Sequence, residues 1–276
     1  AAEILKRLPR GRYVGLDQDA DALQHAGRAL SGDPRVTLHQ ANFADLLDVL
    51  TTLGIPKVDS VLMDIGVSSL QLDTAARGFS FQQSGPLDMR MDASAPLSAA
   101  DVVNRYPEEK LAQILREYGE EPKARALARA IVKARAEKPF QTTDELAALA
   151  KRVLYRPGPQ KHPATRLFQA LRMEVNGELK ALERGLEAAR QALKPGGRLA
   201  VITFHSLEDR LVKQFMKRES VDCLCPPDLP LCRCGHRASL EILTPKPVTA
   251  SQAELESNPR ARSAKLRVAR RLGEAA

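Results

Sequence analysis

Three apolar runs in this chain end on a group that can accept a hydrogen bond or a proton: Val14-Gly15-Leu16-Asp17, Val58-Asp59-Ser60-Val61-Leu62-Met63-Asp64, and Leu199-Ala200-Val201-Ile202-Thr203-Phe204 before His205. An acid closing the second strand of a nucleotide-binding sheet holds ribose hydroxyls, which is one reading of Asp17; the other is an acid at a helix N-terminus. Asp64 stands beside the flexible Gly66–Ser69 segment, a carboxylate placed to accept a proton or hydrogen bond, with Ser68 and Ser69 as further polar contacts. The competing reading has Asp64 orient a cofactor only. His205 either hydrogen-bonds substrate or packs at a strand end beside a Ser206 helix cap.

What is missing narrows the chemistry. The four cysteines all fall between Cys223 and Cys234, so the first 222 residues hold no thiol. Chemistry that needs a cysteine nucleophile therefore has none to use before Cys223. Cys223-Leu224-Cys225 and Cys232-Arg233-Cys234, followed by His236, offer four thiolates to zinc; reduced or adventitiously paired thiols are the alternative, and the metal content is left unknown.

Residues 65–100 are rich in Gly, Ser, Pro and Asp, too long for a plain connector. Asp88, Arg90 and Asp92 in this loop meet a flipped base and its phosphate, or form a structural salt bridge. Phe79 and Phe81 stack on a base or anchor a small core. Lys161, His162, Arg166 and Arg172 cluster at one helix start, and Arg260, Arg262, Lys265, Arg267, Arg270 and Arg271 near the C-terminus. Each cluster is an RNA contact or a solvated basic face.

The elements that must position these groups follow from periodicity. Strands over 12–17, 36–39, 58–64 and 198–204 alternate with helices at 18–31, 43–53 and 165–193, which predicts an α/β fold with a mostly parallel sheet. Such a sheet brings Asp17, Asp64 and His205-Ser206 to one crevice at its carboxyl edge. From Ala99 to about Leu154 the apolar spacing is helical throughout, predicting an inserted all-α domain. The expected division is residues 1–95 with 165–276 for cofactor and 96–164 for positioning substrate. Residues 240–243 and 266–269 form a final antiparallel strand pair.

The chain has 276 residues, 43% of them apolar and 28% charged, with a formal net charge of +8. No stretch of 18 apolar residues and no basic-then-apolar leader is present, which predicts an intracellular, cytoplasmic protein rather than a membrane-spanning or secreted one. The charge is uneven, at −2 over residues 1–91, +4 over 92–175 and +6 over 176–276. A polyanionic partner would therefore touch the middle and C-terminal parts.

Six segments taken together resemble one family. They are Asp64-Ile65-Gly66-Val67-Ser68-Ser69, Arg77-Gly78-Phe79-Ser80-Phe81, Gly85–Asp92, His162-Pro163-Ala164-Thr165-Arg166, Phe204–Arg210 and Asn258-Pro259-Arg260-Ala261-Arg262-Ser263, and they are similar to the bacterial RsmH (MraW) family. The resemblance implies a class I, Rossmann-like S-adenosylmethionine methyltransferase with an inserted helical domain. Its implied substrate is the exocyclic N4 of a decoding-centre cytidine in 16S ribosomal RNA, free or in the 30S subunit. It implies cofactor contacts from Asp17, Phe43, Asp64 and Gln71. A glycine-rich cofactor loop of that family has no counterpart in residues 1–276, so its strand and loop are expected to lie ahead of Ala1. Two other functions are weighed: a nucleotide-cofactor oxidoreductase, which also uses an acid at a strand end, and a non-enzymatic RNA-binding module.

Overall fold

A computed structural model describes residues 1–8, 10–155, 162–226, 229 and 231–273. In chain order its elements begin α1 (Ala2–Arg7), β1 (Tyr13–Asp17), α2 (Ala20–Ala29), β2 (Val36–Gln40), α3 (Leu46–Thr52), β3 (Val58–Asp64) and α4 (Ser69–Asp73). Five helices follow: α5 (Ala99–Arg105), α6 (Glu108–Glu117), α7 (Ala124–Glu137), α8 (Thr143–Leu154) and α9 (Ala164–Asn176). The chain continues through α10 (Glu178–Ala192), β4 (Leu193–Thr203), α11 (Ser206–Arg218), β5 (Leu240–Ile242), β6 (Val248–Thr249), α12 (Gln252–Ser257) and β7 (Lys265–Arg271). They form two compact units, Ala1–Gln40 with Val67–Glu178, and Ala41–Gly66 with Leu179–Ala276.

In the first unit β1 and β2 pair in parallel, from Tyr13 opposite Val36 to Asp17 opposite Gln40. The remainder is helical and is held by one apolar core. Leu111, Ile114 and Leu115 on α6, Leu127 and Ile131 on α7, Leu146 on α8 and Leu167 and Leu171 on α9 are all buried in it. These are the positions that helical spacing places on one face, and each such side chain contributes about 1.5–3 kcal/mol when fully buried. Phe79, Leu87, Met89 and Met91 of the long loop join the same core, which is why that loop is ordered.

The second unit carries a five-stranded sheet in the order β3-β4-β7-β5, with β6 also on β7. β3 and β4 are parallel, with Asp64 opposite Ile202, while β7 runs antiparallel to β4, β5 and β6. Leu199 and Val201 on β4, Leu182 and Leu186 on α10, and Val212 and Phe215 on α11 fill its core.

Several elements differ from what periodicity predicts. The expected sheet is realised as two ladders, β1-β2 and the five-stranded one. The helix expected over 165–193 is broken at Gly177, whose φ of 58° is a left-handed cap that side chains disfavour, so α9 ends and α10 begins there. The helix expected from Phe43 starts as a 3-10 turn, Phe43–Asp45. Residues 65–100, expected as loop, contain α4 and the 3-10 turn Ala75–Arg77. Among the described residues no helix is long and apolar enough to cross a membrane.

Candidate active site

In the first unit the sequence Asp17-Gln18-Asp19-Ala20-Asp21 carries the chain from strand to helix. Asp17 Oδ1 accepts the Asp19 N–H at 2.9 Å, and Asp19 caps α2 by accepting the Asp21 N–H at 3.0 Å. Asp17 stays half-buried at the strand end, and burial pushes its carboxyl above the ordinary value. Backbone N–H groups of Asp19 and Gln18 hold the carboxylate in place.

Behind Asp17 lies a buried polar network that residue spacing alone does not reveal. Asp19, 2% exposed, receives Gln71 Nε2 at 2.7 Å and lies 2.9 Å from Arg77 Nη1. Arg77 also reaches Asp21 at 3.0 Å and donates through Nη2 to the carbonyls of Arg90 and Met91, each at 3.0 Å. Gln71 and Ser68 form a capping box for α4: Gln71 N–H donates to Ser68 Oγ at 3.2 Å, and Ser68 N–H donates to Gln71 Oε1 at 3.0 Å. Both ends of the Gln71 amide are thus engaged by the protein. Ser69, the first residue of α4, is exposed.

The adjoining loop is held against strain. Met89, buried, has a φ of 59°, a region costly for a residue with a Cβ. It persists because Met89 N–H donates to the Arg77 carbonyl at 3.0 Å and Asn176 Nδ2 donates to the Met89 carbonyl at 2.8 Å. Next to it, Arg90 is spent on structure: Nε and Nη2 grip Asp88 at 2.9 and 2.7 Å, and Nη1 donates to the Ala95 carbonyl. The salt-bridge reading of Asp88 and Arg90 is the one the structure realises. Phe79 is buried, and Phe81 stacks on His162 at 4.6 Å and meets Phe168 edge-on at 4.9 Å, so both rings serve the core.

In the second unit Asp64 and His205 stand at the same end of adjacent parallel strands, since Asp64 pairs with Ile202 of β4. The Asp64 side chain reaches solvent, yet the protein crowded around it raises its pKa by desolvation. His205 itself, not Ser206, caps α11: its Nδ1 accepts the Glu208 N–H at 3.4 Å, and Glu208 accepts the N–H groups of Phe204 and His205 at 2.8 and 3.3 Å. His205 Nε2 is 2.9 Å from Glu208 Oε1, but the angles do not make a hydrogen bond and the nitrogen is buried without one. Phe43 packs on the core beside Gly185 of α10, where an added Cβ would fall 2.5 Å from the ring; only glycine lets the ring lie there.

The basic candidates divide by how they are used. Arg172 is locked to Glu178 by contacts of 2.7 and 2.8 Å, and Arg267 and Lys265 are held by Asp209. Arg270 pairs with Glu241, and Arg271 donates to the Ser239 carbonyl at 2.9 Å. Arg166 is half exposed, 3.7 Å from Glu121. Arg260 and Arg262, on the 3-10 turn Pro259–Ser263, are exposed. Lys161 lies outside the described residues.

Each unit thus carries an acid at a strand end, Asp17 in one and Asp64 in the other, and burial raises the pKa of both. A family model described as the MraW methylase family matches residues 1–272. The chain is 55% identical over 273 residues to the ribosomal RNA small subunit methyltransferase H of Carboxydothermus hydrogenoformans, covering 98% of this chain and 87% of that protein. It is 55% identical over 269 residues to the protein of the same name from Syntrophotalea carbinolica, covering 96% and 85%. With that of Symbiobacterium thermophilum it shares 54% identity over 272 residues, covering 97% and 85%. A match running nearly end to end and identity above one half with each of these relatives make this chain a member of the MraW methylase family.

Proposed function

We propose that the chain transfers a methyl group from S-adenosylmethionine to the exocyclic N4 of a cytidine in the decoding centre of 16S ribosomal RNA, as free RNA or in the 30S subunit. The family supports methyl transfer, and the relatives' name supports small-subunit ribosomal RNA as its target. A ribosomal substrate also implies a cytoplasmic location.

The observation that carries the choice of an amine is Asp64, an exposed carboxylate at a strand end whose pKa is raised by burial. Cytosine N4 is a poor nucleophile because its lone pair is delocalised into the ring. A carboxylate of raised pKa orients the amine by accepting its N–H and takes the proton as the N–C bond forms. Ser68 and Ser69, four and five residues on, would supply further polar contacts, and His205 at the neighbouring strand end would act by capping α11 and fixing the chain there. Ring-carbon methylation would call for a thiol, and all four cysteines belong to one late loop.

The residues present fit the methyl donor. S-adenosylmethionine supplies an electrophilic sulfonium methyl. The Asp17 carboxylate would accept a ribose hydroxyl, the Phe43 ring would offer an apolar face to the adenine, and Asp64 would contribute its second role here. Gln71, both of whose amide ends are engaged, acts by holding Asp19 and the start of α4 behind Asp17. In this reading residues 1–95 and 165–276 carry the cofactor, and 96–164 position RNA. Arg166, Arg260, Arg262 and Lys161 are the proposed phosphate contacts, whereas Arg90 and Arg172 shape the protein around them. Calorimetry separates this from an oxidoreductase: S-adenosylmethionine binding and no binding of NADH supports it, and the reverse overturns it.

A further inference from the structure

Between α11 and β5 the chain forms an exposed loop that the proposed reaction does not use. Its base is clamped by the protein: Ser239 and Leu240 N–H groups donate to the Glu219 carbonyl at 2.8 and 2.9 Å, and Ala238 N–H donates to Asp222 at 3.1 Å. His236 Nε2 donates to the Arg218 carbonyl at 2.9 Å, so this histidine is occupied elsewhere. At the other end of the loop the Sγ atoms of Cys223, Cys225, Cys232 and Cys234 all lie within 4.8 Å of one another.

Cys223 to Cys232 is 3.4 Å, Cys232 to Cys234 is 3.6 Å and Cys234 to Cys223 is 3.8 Å. All four are free thiols, and a covalent S–S bond would be about 2.05 Å. Four sulfurs bound tetrahedrally at about 2.3 Å from zinc are about 3.8 Å apart; the three separations above, 3.4, 3.6 and 3.8 Å, are close to that edge length, and the other pairs lie within 4.8 Å. Backbone N–H groups also point at the sulfurs: Leu224 donates to Cys234 at 3.3 Å, Cys225 to Cys223 at 3.4 Å and Arg233 to Cys225 at 3.4 Å. Amide donors aimed at sulfur favour thiolates and orient them, as the outer partners of metal ligands do.

We propose that Cys223, Cys225, Cys232 and Cys234 bind one structural zinc ion, joining the two C-x-C arms of the loop. Four protein ligands close the coordination shell, so the ion is structural and leaves no position for water or substrate. Binding displaces the four thiol protons to solvent and involves no change of oxidation state. All-sulfur tetrahedral coordination suits zinc or a single iron, and zinc is chosen because it needs no redox partner.

The test begins with the full chain, untagged and purified under reducing conditions without chelator or added metal. Elemental analysis is expected to find about one zinc per chain, and titrating the thiols with an organomercurial should release it. Replacing zinc with Co2+ should give the visible d–d and thiolate charge-transfer bands of a tetrahedral all-sulfur site, a readout needing no variant. The double variant Cys225→Ser/Cys234→Ser should lose the metal while retaining S-adenosylmethionine binding. Zinc well below one per chain, iron in its place, alkylation-resistant disulfides among the four cysteines, or full zinc retention in the double variant would each overturn the proposal.

Discussion

Gln71 Nε2 donates to Asp19 Oδ2 at 2.7 Å, and both side chains are buried. Arg77 supplies the balancing charge from a side chain that is itself 15% exposed. Gln71→Glu would set a second carboxylate against Asp19, and Arg77→Met would leave Asp19 buried without its cation. Arg77→Met is expected to cost about 3–5 kcal/mol in urea unfolding. Arg77→Lys should recover only part, because an ammonium cannot serve two carboxylates and two carbonyls together. S-adenosylmethionine affinity should fall in the same order by calorimetry; affinity unchanged in Arg77→Met would detach the network from the Asp17 site.

Gly185→Ala inverts the usual helix rule. Alanine in a helix interior is ordinarily better than glycine by about 1 kcal/mol. Here the new Cβ would lie 2.5 Å from Phe43 and 3.1 Å from Met63. The variant is expected to lose about 1–3 kcal/mol from overpacking and to bind S-adenosylmethionine more weakly as the Phe43 ring is displaced. A rise in thermal stability would contradict this.

Asp209 holds Arg267 at 2.6 and 3.2 Å and Lys265 at 3.2 Å. Burial pushes the Asp209 carboxyl up, but the hydrogen bonds and charges of Arg267 and Lys265 outweigh it, and the pKa is lowered. A lowered folded-state pKa gives stability that is present above the unfolded value of about 3.9 and is lost as pH falls through the folded value. Asp209→Ala should therefore cost about 3–5 kcal/mol at pH 7, with the difference from wild type shrinking as pH falls below about 4. Asp209→Leu/Arg267→Met should regain much of the loss. Urea melts across pH measure both.

The exposed and the committed arginines should separate in RNA binding. Replacing Arg262 with alanine is expected to leave the melting temperature unchanged and to reduce the salt-dependence slope by about 0.7–0.9, the share of one phosphate no longer neutralised. Arg172→Ala, which frees Glu178, should instead lower stability. Filter binding over a salt series, beside thermal melts, checks the contrast.

For Asp64 the sign runs the other way from Asp209. Its pKa is raised, so the folded state disfavours the charged form, and any stability it contributes is present at low pH and lost as pH rises through the raised value. Asp64→Asn should leave stability at pH 7 equal or higher while cutting methyl transfer by about 100-fold or more. The wild-type rate should fall on acidification through a pKa above the ordinary aspartate value. Near-normal turnover in Asp64→Asn with cofactor bound would eliminate Asp64 as the acceptor.

The helical core was legible because Leu111, Ile114 and Leu115 and their counterparts repeat at helical spacing, and β4 because Leu199, Val201 and Thr203 alternate inward. The strand ends at Asp17 and Asp64 were legible for the same reason. Asp19 and Arg77 were not, because a contact spanning 58 residues has no periodic signal; the only local hint was the Asp-x-Asp-x-Asp spacing of a capped helix start. The fate of the arginines was equally hidden: Arg90 and Arg262 look alike in sequence, and only the fold sets Asp88 against the Arg90 guanidinium. A serine directly after His205 suggests a Ser206 cap, although His205-x-x-Glu208 has the spacing of a capping box with histidine in the serine position.

The most direct measurement is the identity of the methylated nucleoside. Small-subunit ribosomal RNA, free and as 30S subunits, lacking the modification, is incubated with the chain and methyl-labelled S-adenosylmethionine, digested to nucleosides and resolved by mass spectrometry. The predicted result is label in N4-methylcytidine, absent with Asp64→Asn. Label in 5-methylcytidine, in another base, or in none while S-adenosylmethionine is bound would contradict the account.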